Sequence, residues 1–404
     1  MEGETKLTMI RARRFLLLKQ GLLGEHRFIG KEGALRYVKQ AGCIQFDPVD
    51  VCGRNAELSL QSRVKGFKKK HLEELLYKDR LLVDYPDKEL SIFPVEDWPF
   101  FQEYRTRSFE HGRQFEGLAE LEELTAEYIK EHGPVSADAL PIDGEIFWHS
   151  AIHWSGNWHG GSKAARSVLE QMFTDGRLVI HHKAGTRKFY DLSERHIPAR
   201  ILNAEDPCPD EAAHIKWRVK RRIGAVGLLP NRRSDAFLGI PMTTEQRERA
   251  FSELEAEGSI FRVWVEGQKA PLFALSEDRP LLEAAQNDTP LKPRCEFLAP
   301  LDPFLWDRKL IDSIFGFKYT WEIYTPAEKR KYGHYVLPMI YGERFIGRIE
   351  AAAKYGEKTL IVKNIWFEEG VRQTKKLTGA VESAVKRLAR FNECCAVSDL
   401  ISIH

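Results

Sequence analysis

Apolar residues in this chain switch between two periods, and the switches mark its elements. Leu121, Leu124 and Tyr128 recur at helical spacing until Gly133-Pro134 stops the run, and Ser136 stands where a second helix would be capped. Ser162 precedes Ala165, Val168, Leu169 and Met172, an i, i+3, i+4, i+7 stripe that predicts a third helix ending at Gly176. Two strand-like runs follow, 178–180 and 188–190, folded about Gly185. Three helices and a two-stranded hairpin make the plan of a winged helix, whose third helix can enter a DNA major groove.

The plan recurs downstream. Thr243 or Thr244 caps a helix through Phe251 and Leu254, Gly258 ends it, 260–265 reads as a strand, Gly267 turns, and 271–274 returns. The helix-ending glycine and the hairpin glycine are equally spaced in both copies, 176 to 185 and 258 to 267, which supports a repeated unit. Near the N-terminus, Thr8 caps a helix through Phe15, Leu18 and Leu22, and 33–41 reads as a second helix, compatible with a further copy.

Beyond Pro293 the pattern turns to strands, expected at 321–324, 335–340, 345–350 and 360–366 with a hairpin turn near Gly342. Leu377, Ala380, Val381, Ala384, Val385 and Leu388 form an amphipathic helix expected to pack on that sheet. The expected fold class is α+β. It comprises tandem winged-helix (helix-turn-helix) modules at 1–114, 115–200 and 201–280, then a β-rich domain with a terminal helix at 281–404.

Composition agrees with several cores: the chain has 404 residues, 43% of them hydrophobic. It lacks an apolar stretch of membrane-spanning length, and Arg11, Arg13 and Arg14 before a short 15–18 run do not make a signal peptide. A soluble cytoplasmic protein is expected. Six cysteines without a CxxC pair argue against a disulfide framework or structural zinc and read as buried or idle thiols.

The net charge of +2 conceals local asymmetry. Lys216, Arg218, Lys220, Arg221, Arg222, Arg232 and Arg233 share a stretch, 215–233, with no acidic residue, a block able to meet a polyanion. Arg63, Lys65, Lys68, Lys69 and Lys70 form a second cluster. Lys163 and Arg166 in the third helix, with Lys183, Arg187 and Lys188 on the hairpin, stand where phosphate contacts are expected, although a merely solvated face has the same composition.

Two groups carry candidate chemistry. His149, His153 and His159, interleaved with Trp148, Trp154 and Trp158, include an i, i+4 pair, but no carboxylate or thiolate completes a zinc set nearby. They read as packing residues, and no metal or cofactor is assigned. Gln45-Phe46-Asp47-Pro48 follows an apolar start; taken alone, Asp before Pro reads as a helix N-cap.

Longer patterns bear on that segment. They are Gln45-Phe46-Asp47, Leu60-Gln61-Ser62-Arg63, Phe93-Pro94-Val95-Glu96-Asp97-Trp98, Gly133-Pro134-Val135-Ser136, Ser162-Lys163-Ala164-Ala165 and Tyr190-Asp191-Leu192. The most specific are Leu301-Asp302-Pro303-Phe304-Leu305-Trp306-Asp307-Arg308, Phe315-Gly316-Phe317, and Lys329 to Pro338. Together they resemble the winged-helix DNA glycosylases of the AlkZ/YcaQ group across nearly the whole chain, and Asp47 resembles the YcaQ branch.

The resemblance implies three winged helices forming a concave clamp and a monofunctional, metal-free hydrolase of the N-glycosidic bonds of alkylated purines. Its substrates would include N7-alkylguanine and interstrand crosslinks in duplex DNA, and it would act as a monomer in the bacterial cytoplasm. It carries Gln45 and Asp47 over as catalytic. Arg63, Lys163, Arg166, Lys183, Arg187, Lys188, Arg308, Lys329 and Arg330 are the expected DNA contacts. Two departures stand out: Lys88 occupies the neighbourhood of a family histidine, and Ala351-Ala352-Ala353-Lys354 lacks an expected acidic start. A non-catalytic winged-helix regulator and a protein-interaction scaffold are the competing readings.

Overall fold

Thr8 starts the first helix as expected, its hydroxyl accepting the Arg11 amide, and α1 (Met9–Lys19) buries Ala12, Phe15, Leu16 and Leu17. It follows a short strand, β1 (Thr5–Leu7). In α2 (Gly30–Ala41), Tyr37 and Val38 are buried, and Gly42 at φ +72° ends the helix in a conformation that β-carbons disfavour. The strand Ile44–Gln45 and an irregular stretch lead to α3 (Asn55–Gln61). The N-cap reading of Asp47 is thereby corrected, because no helix follows Pro48.

Residues 5–150 and 161–398 are described in this computed structural model. Contacts group the chain into a first unit, residues 1–72 with 215–404, and a second, residues 73–214. The expected N-terminal stretch, 1–114, is thus divided, residues 1–72 grouping with 215–404 and residues 73–114 with the second unit. Among the described residues, no helix is long and apolar enough to cross a membrane.

The second unit opens with a hairpin of β2 (Leu82–Asp87) and β3 (Glu89–Pro94). Then come α4 (Gln102–Gly112), α5 (Leu118–His132) and α6 (Ala164–Thr174). Ala165, Val168, Leu169 and Met172 are all buried, as their spacing predicts.

Two expectations fail locally. Ser136 starts a turn rather than a helix, its carbonyl accepting the amides of Ala139 and Leu140; Pro141 follows at once and disfavours further helical residues before it. Lys163, not Ser162, is the N-cap of α6. Ser162 lies in a strand, Gly161–Lys163, paired with Glu145–Phe147, and its hydroxyl bonds that of Ser167.

The unit ends in β4 (Leu178–Ala184) and β5 (Arg187–Leu192), turning at Gly185. Their antiparallel register pairs Phe189 with His182 and Tyr190 with Ile180, so His181 is the extra residue of a bulge.

Back in the first unit, α7 (Glu211–Val226) carries most of the basic block. Thr243 and Gln246 form the capping box of α8 (Thr244–Ala256). The short β6 (Leu229–Pro230) joins β7 (Ile260–Val265), β8 (Leu272–Leu275) and the N-terminal strand in one sheet, ordered β1-β7-β8-β6. The downstream hairpin is therefore present, closed on one side by the start of the chain. α9 (Arg279–Gln286) packs on α1.

A second sheet of the same unit runs β9 (Cys295–Phe297), β10 (Val336–Tyr341), β11 (Arg344–Lys354), β12 (Thr359–Phe367) and β13 (Ala396–Val397), in that order. Between its first two strands lies α10 (Arg308–Phe315). The sheet's inner face meets α11 (Lys375–Phe391), burying Leu377, Val381, Val385 and Leu388 against Leu337, Met339, Ile349 and Leu360. At about 1.5–3 kcal/mol for each such side chain, this layer alone anchors the C-terminal half. The strand expected at 321–324 is absent. There the Glu322 carboxylate accepts the amides of Lys331, Tyr332 and Gly333, folding the segment into a loop.

Candidate active site

The segment from Gly42 to Gly53 is held from three directions within the first unit. At its start, Arg221 Nη2 donates to the Gly42 carbonyl at 2.6 Å, and Arg222 Nη1 lies 3.3 Å from Cys43 Sγ. In its middle, Asn55 Nδ2 donates to the Gln45 carbonyl at 2.8 Å while Asn55 Oδ1 accepts the Leu301 amide at 2.9 Å. At its end, the Ala353 amide donates to the Val51 carbonyl at 2.7 Å, and Val49 and Val51 pack on the core of the second sheet.

This places the buried Gln45 at the end of a short strand and the half-buried Asp47 on the braced irregular stretch that follows. Such a stretch can hold a reactive group without helix or sheet partners competing for it.

Asp47 Oδ1 accepts the Val49 amide at 2.9 Å; Oδ2 accepts no hydrogen bond from the described residues. Burial pushes the Asp47 carboxyl above its ordinary value, and the Val49 amide only partly offsets this. The buried phenol of Tyr335 stands well above its usual range, first through burial and then through Cys52, Tyr319, Asp47 and Asp50. Asp47 therefore faces an environment short of compensating charge. A carboxylate so placed interacts strongly with any positive charge brought to it.

Beneath the segment lies a polar lattice that sequence reading had not connected. Arg63 is completely buried, its guanidinium bidentate on Asp302 at 2.6 and 2.7 Å and stacked 4.8 Å over Tyr37. Gln20 Oε1 accepts from Arg63 and Tyr37, and Gln20 Nε2 donates to the Ala225 and Val226 carbonyls. Leu60-Gln61-Ser62-Arg63 and Leu301-Asp302-Pro303 are thus halves of one brace. Arg63 is accordingly withdrawn as a DNA contact, because its charge is enclosed.

The basic block of α7 is corrected on the same ground. Arg218 and Arg222 are fully buried, with Arg218 Nη1 donating to the Gly239 carbonyl at 2.6 Å. Lys216 pairs with Glu253 and Glu257, and Arg232 with Asp307 at 2.8 Å. The block holds the first unit together more than it faces a polyanion.

The remaining expected contacts divide by exposure. Lys163, capping α6, and Arg166, within it, are exposed, Arg166 bonded to Glu170, and Arg187 is exposed on the hairpin 3.3 Å from Asp138. Lys183 is mostly covered and paired with Asp84, and Lys188 is partly buried beside Phe173, burial lowering its ammonium pKa. In the first unit, Lys329 is exposed. Arg330 donates to the Thr325 carbonyl at 2.8 Å, and the half-buried Arg308 lies 5.5 Å over Tyr319. Tyr319 also lines a cavity of about 330 Å³ with Lys318, Glu322, Lys331, Tyr332 and Arg348.

Other candidates resolve in part. Lys88 is buried at the tip of the β2–β3 hairpin, not on the surface where most lysines lie. Trp148 is buried and donates to Gln171, consistent with packing, whereas His153, Trp154, Trp158 and His159 fall outside the described residues. Cys43, Cys52, Cys295 and Cys394 are buried, and burial pushes the Cys52 and Cys295 thiols to about 12.

His181, Asp191 and His196 converge within the second unit, a grouping their sequence spacing does not advertise. The adjacent His181-His182 pair was the available signal.

A family model described as DNA glycosylase AlkZ-like matches residues 38–391, a span that takes in Gln45, Asp47 and the Asp302 brace. Among solved structures, the Streptomyces sahachiroi DNA glycosylase AlkZ is similar, with a TM-score of 0.63 at 17% identity. That alignment covers 97% of this chain and 99% of that one, which establishes a shared α+β fold end to end. With the family match covering most of its length, the chain belongs to the AlkZ-like DNA glycosylase family.

Proposed function

We propose that this glycosylase hydrolyses the N-glycosidic bond of purines alkylated at N7, interstrand crosslinks included, and that Asp47 and Gln45 carry the reaction. The observation that carries this reading is Asp47 itself: half-buried, raised in pKa by desolvation, and anchored by one oxygen while the other accepts no hydrogen bond among the described residues. N7 alkylation makes the purine a cationic leaving group, so its departure needs little acid. The developing positive charge passes to the sugar, where a fixed carboxylate stabilises it and polarises the attacking water. Gln45, fixed through its carbonyl by Asn55, is the partner that orients that water.

The products are the free base and an abasic site, with water supplying the hydroxyl; no lyase step is required. Duplex DNA is contacted through its phosphates by the exposed Lys163, Arg166, Arg187 and Lys329 and by the partly buried Arg308 and Arg330. The protein acts as a monomer. A crosslinked base is tied to the opposite strand and cannot be swung freely into a deep pocket, so attack from an open surface suits this substrate class.

The test is base release from N7-methylguanine DNA and from a nitrogen-mustard crosslink, read by alkaline cleavage at abasic sites. Asp47→Asn should slow release at least about 100-fold with duplex affinity retained. Release at the unaltered rate would remove Asp47 from the chemistry.

A further inference from the structure

We propose that the β4–β5 hairpin holds a zinc ion through His181, Asp191 and His196. One ligand atom from each lies within 4.8 Å of the others. A tetrahedral zinc with bonds of about 2.0–2.2 Å spaces its donors roughly 3.3 Å apart, within reach of these side chains by rotamer-scale shifts. Two imidazoles and a carboxylate are a donor set suited to zinc rather than to magnesium or calcium, and three protein ligands leave a fourth position for water.

Two features beyond proximity mark a built site. The register of β4 and β5 skips His181, and such a bulge re-aims a side chain out of the regular alternation, here toward Asp191 and His196. The ligands are also oriented from behind. His181 Nδ1 and His182 Nδ1 are 2.8 Å apart, so one ring donates to the other; with His181 as the donor, its Nε2 carries the lone pair that a metal takes. Asp191 Oδ1 accepts the Leu192 amide at 2.8 Å and Arg195 Nη1 at 3.1 Å, which leaves Oδ2 on His196 Nε2 at 2.7 Å.

Arg80, which donates to the His181 carbonyl, and Arg195 place positive charge nearby and work against the ion. The second unit is therefore expected to bind zinc reversibly rather than to depend on it for folding. The ion would tie both strands of the hairpin to the turn that follows, stiffening the element that bears Arg187.

The full chain, stripped with a chelator, is titrated with Zn(II) by calorimetry and with Co(II) by visible absorption. One equivalent should bind, with the intense ligand-field bands of tetrahedral Co(II), and Asp191→Asn and His181→Ala/His196→Ala should abolish the saturable signal while circular dichroism stays native. His153→Ala/His159→Ala should leave it intact. A wild-type titration without those bands needs no variant and overturns the site, leaving a metal-free His–Asp hydrogen bond. Signal surviving the His181/His196 substitution, or vanishing in the His153/His159 control, overturns it equally.

Discussion

Arg63 and Arg187 present the same guanidinium in opposite settings. In the first unit, Arg63 has no exposed side-chain surface and both its terminal nitrogens grip Asp302, which is equally enclosed. In the second, Arg187 keeps 57% of its side chain in solvent beside an Asp138 that is 67% exposed. A buried pair cannot exchange its carboxylate for a phosphate without leaving a bare charge in the interior. An exposed pair contributes about 0–1 kcal/mol and exchanges readily. Positive charge is therefore structural at Arg63 and open to exchange for a phosphate at Arg187.

The widest separation is in stability. Arg63→Ala should cost about 3–5 kcal/mol in denaturant unfolding, since Asp302 is left buried and uncompensated; a cost like that of a surface lysine would break the comparison. Asn55→Ala comes next. It strips partners from the Gln45 carbonyl and the Leu301 amide, and about 1–3 kcal/mol should be lost with slower base release.

Arg187→Ala should change stability by less than about 0.5 kcal/mol. It should instead reduce the slope of log affinity against log salt by about 0.9, the signature of one lost phosphate contact. An unchanged slope in filter binding would place Arg187 off the DNA.

The smallest effect concerns Asp47. Its folded-state pKa lies above the unfolded value, so ionising it costs folding stability. That cost is absent at low pH and accrues as pH rises from the unfolded to the folded pKa. Asp47→Asn should therefore raise the melting temperature slightly at neutral pH, with the gain vanishing on acidification, while wild-type activity falls at a pH above the ordinary carboxylate range. A lower melting temperature at neutral pH would mean that the carboxylate is stabilised, not strained, by its surroundings.

Locally encoded features were readable in the chain. The Thr243–Gln246 box caps α8 because both partners sit within one turn, and the 165–172 stripe is buried because helical spacing alone gathers it. Features failed where a distant partner outbid local preference. Asp47-Pro48 is a good helix start, yet the segment after it is bonded to Ala353 and packed on the second sheet. Residues 321–324 have strand-like aromatics, yet the Glu322 carboxylate gathers three amides of residues 331–333 into a loop. Gln45 and Asp47 could be singled out only through resemblance, since nothing in their spacing distinguishes a catalytic pair from a cap.

By itself, then, the sequence determined most of the helices, the hairpins turning at Gly185 and Gly267 and the terminal helix–sheet layer, because caps, glycines and periodicity act over a few residues. It also carried the patterns that mark the family. Tertiary structure alone decided which charges reach solvent, because burial depends on acids and carbonyls brought from remote positions, as Asp302 is to Arg63 and Gly239 to Arg218. It likewise decided that Asp47 is desolvated and that His181, Asp191 and His196 meet, since neither dielectric surroundings nor a bulge in strand register is a local property of the chain.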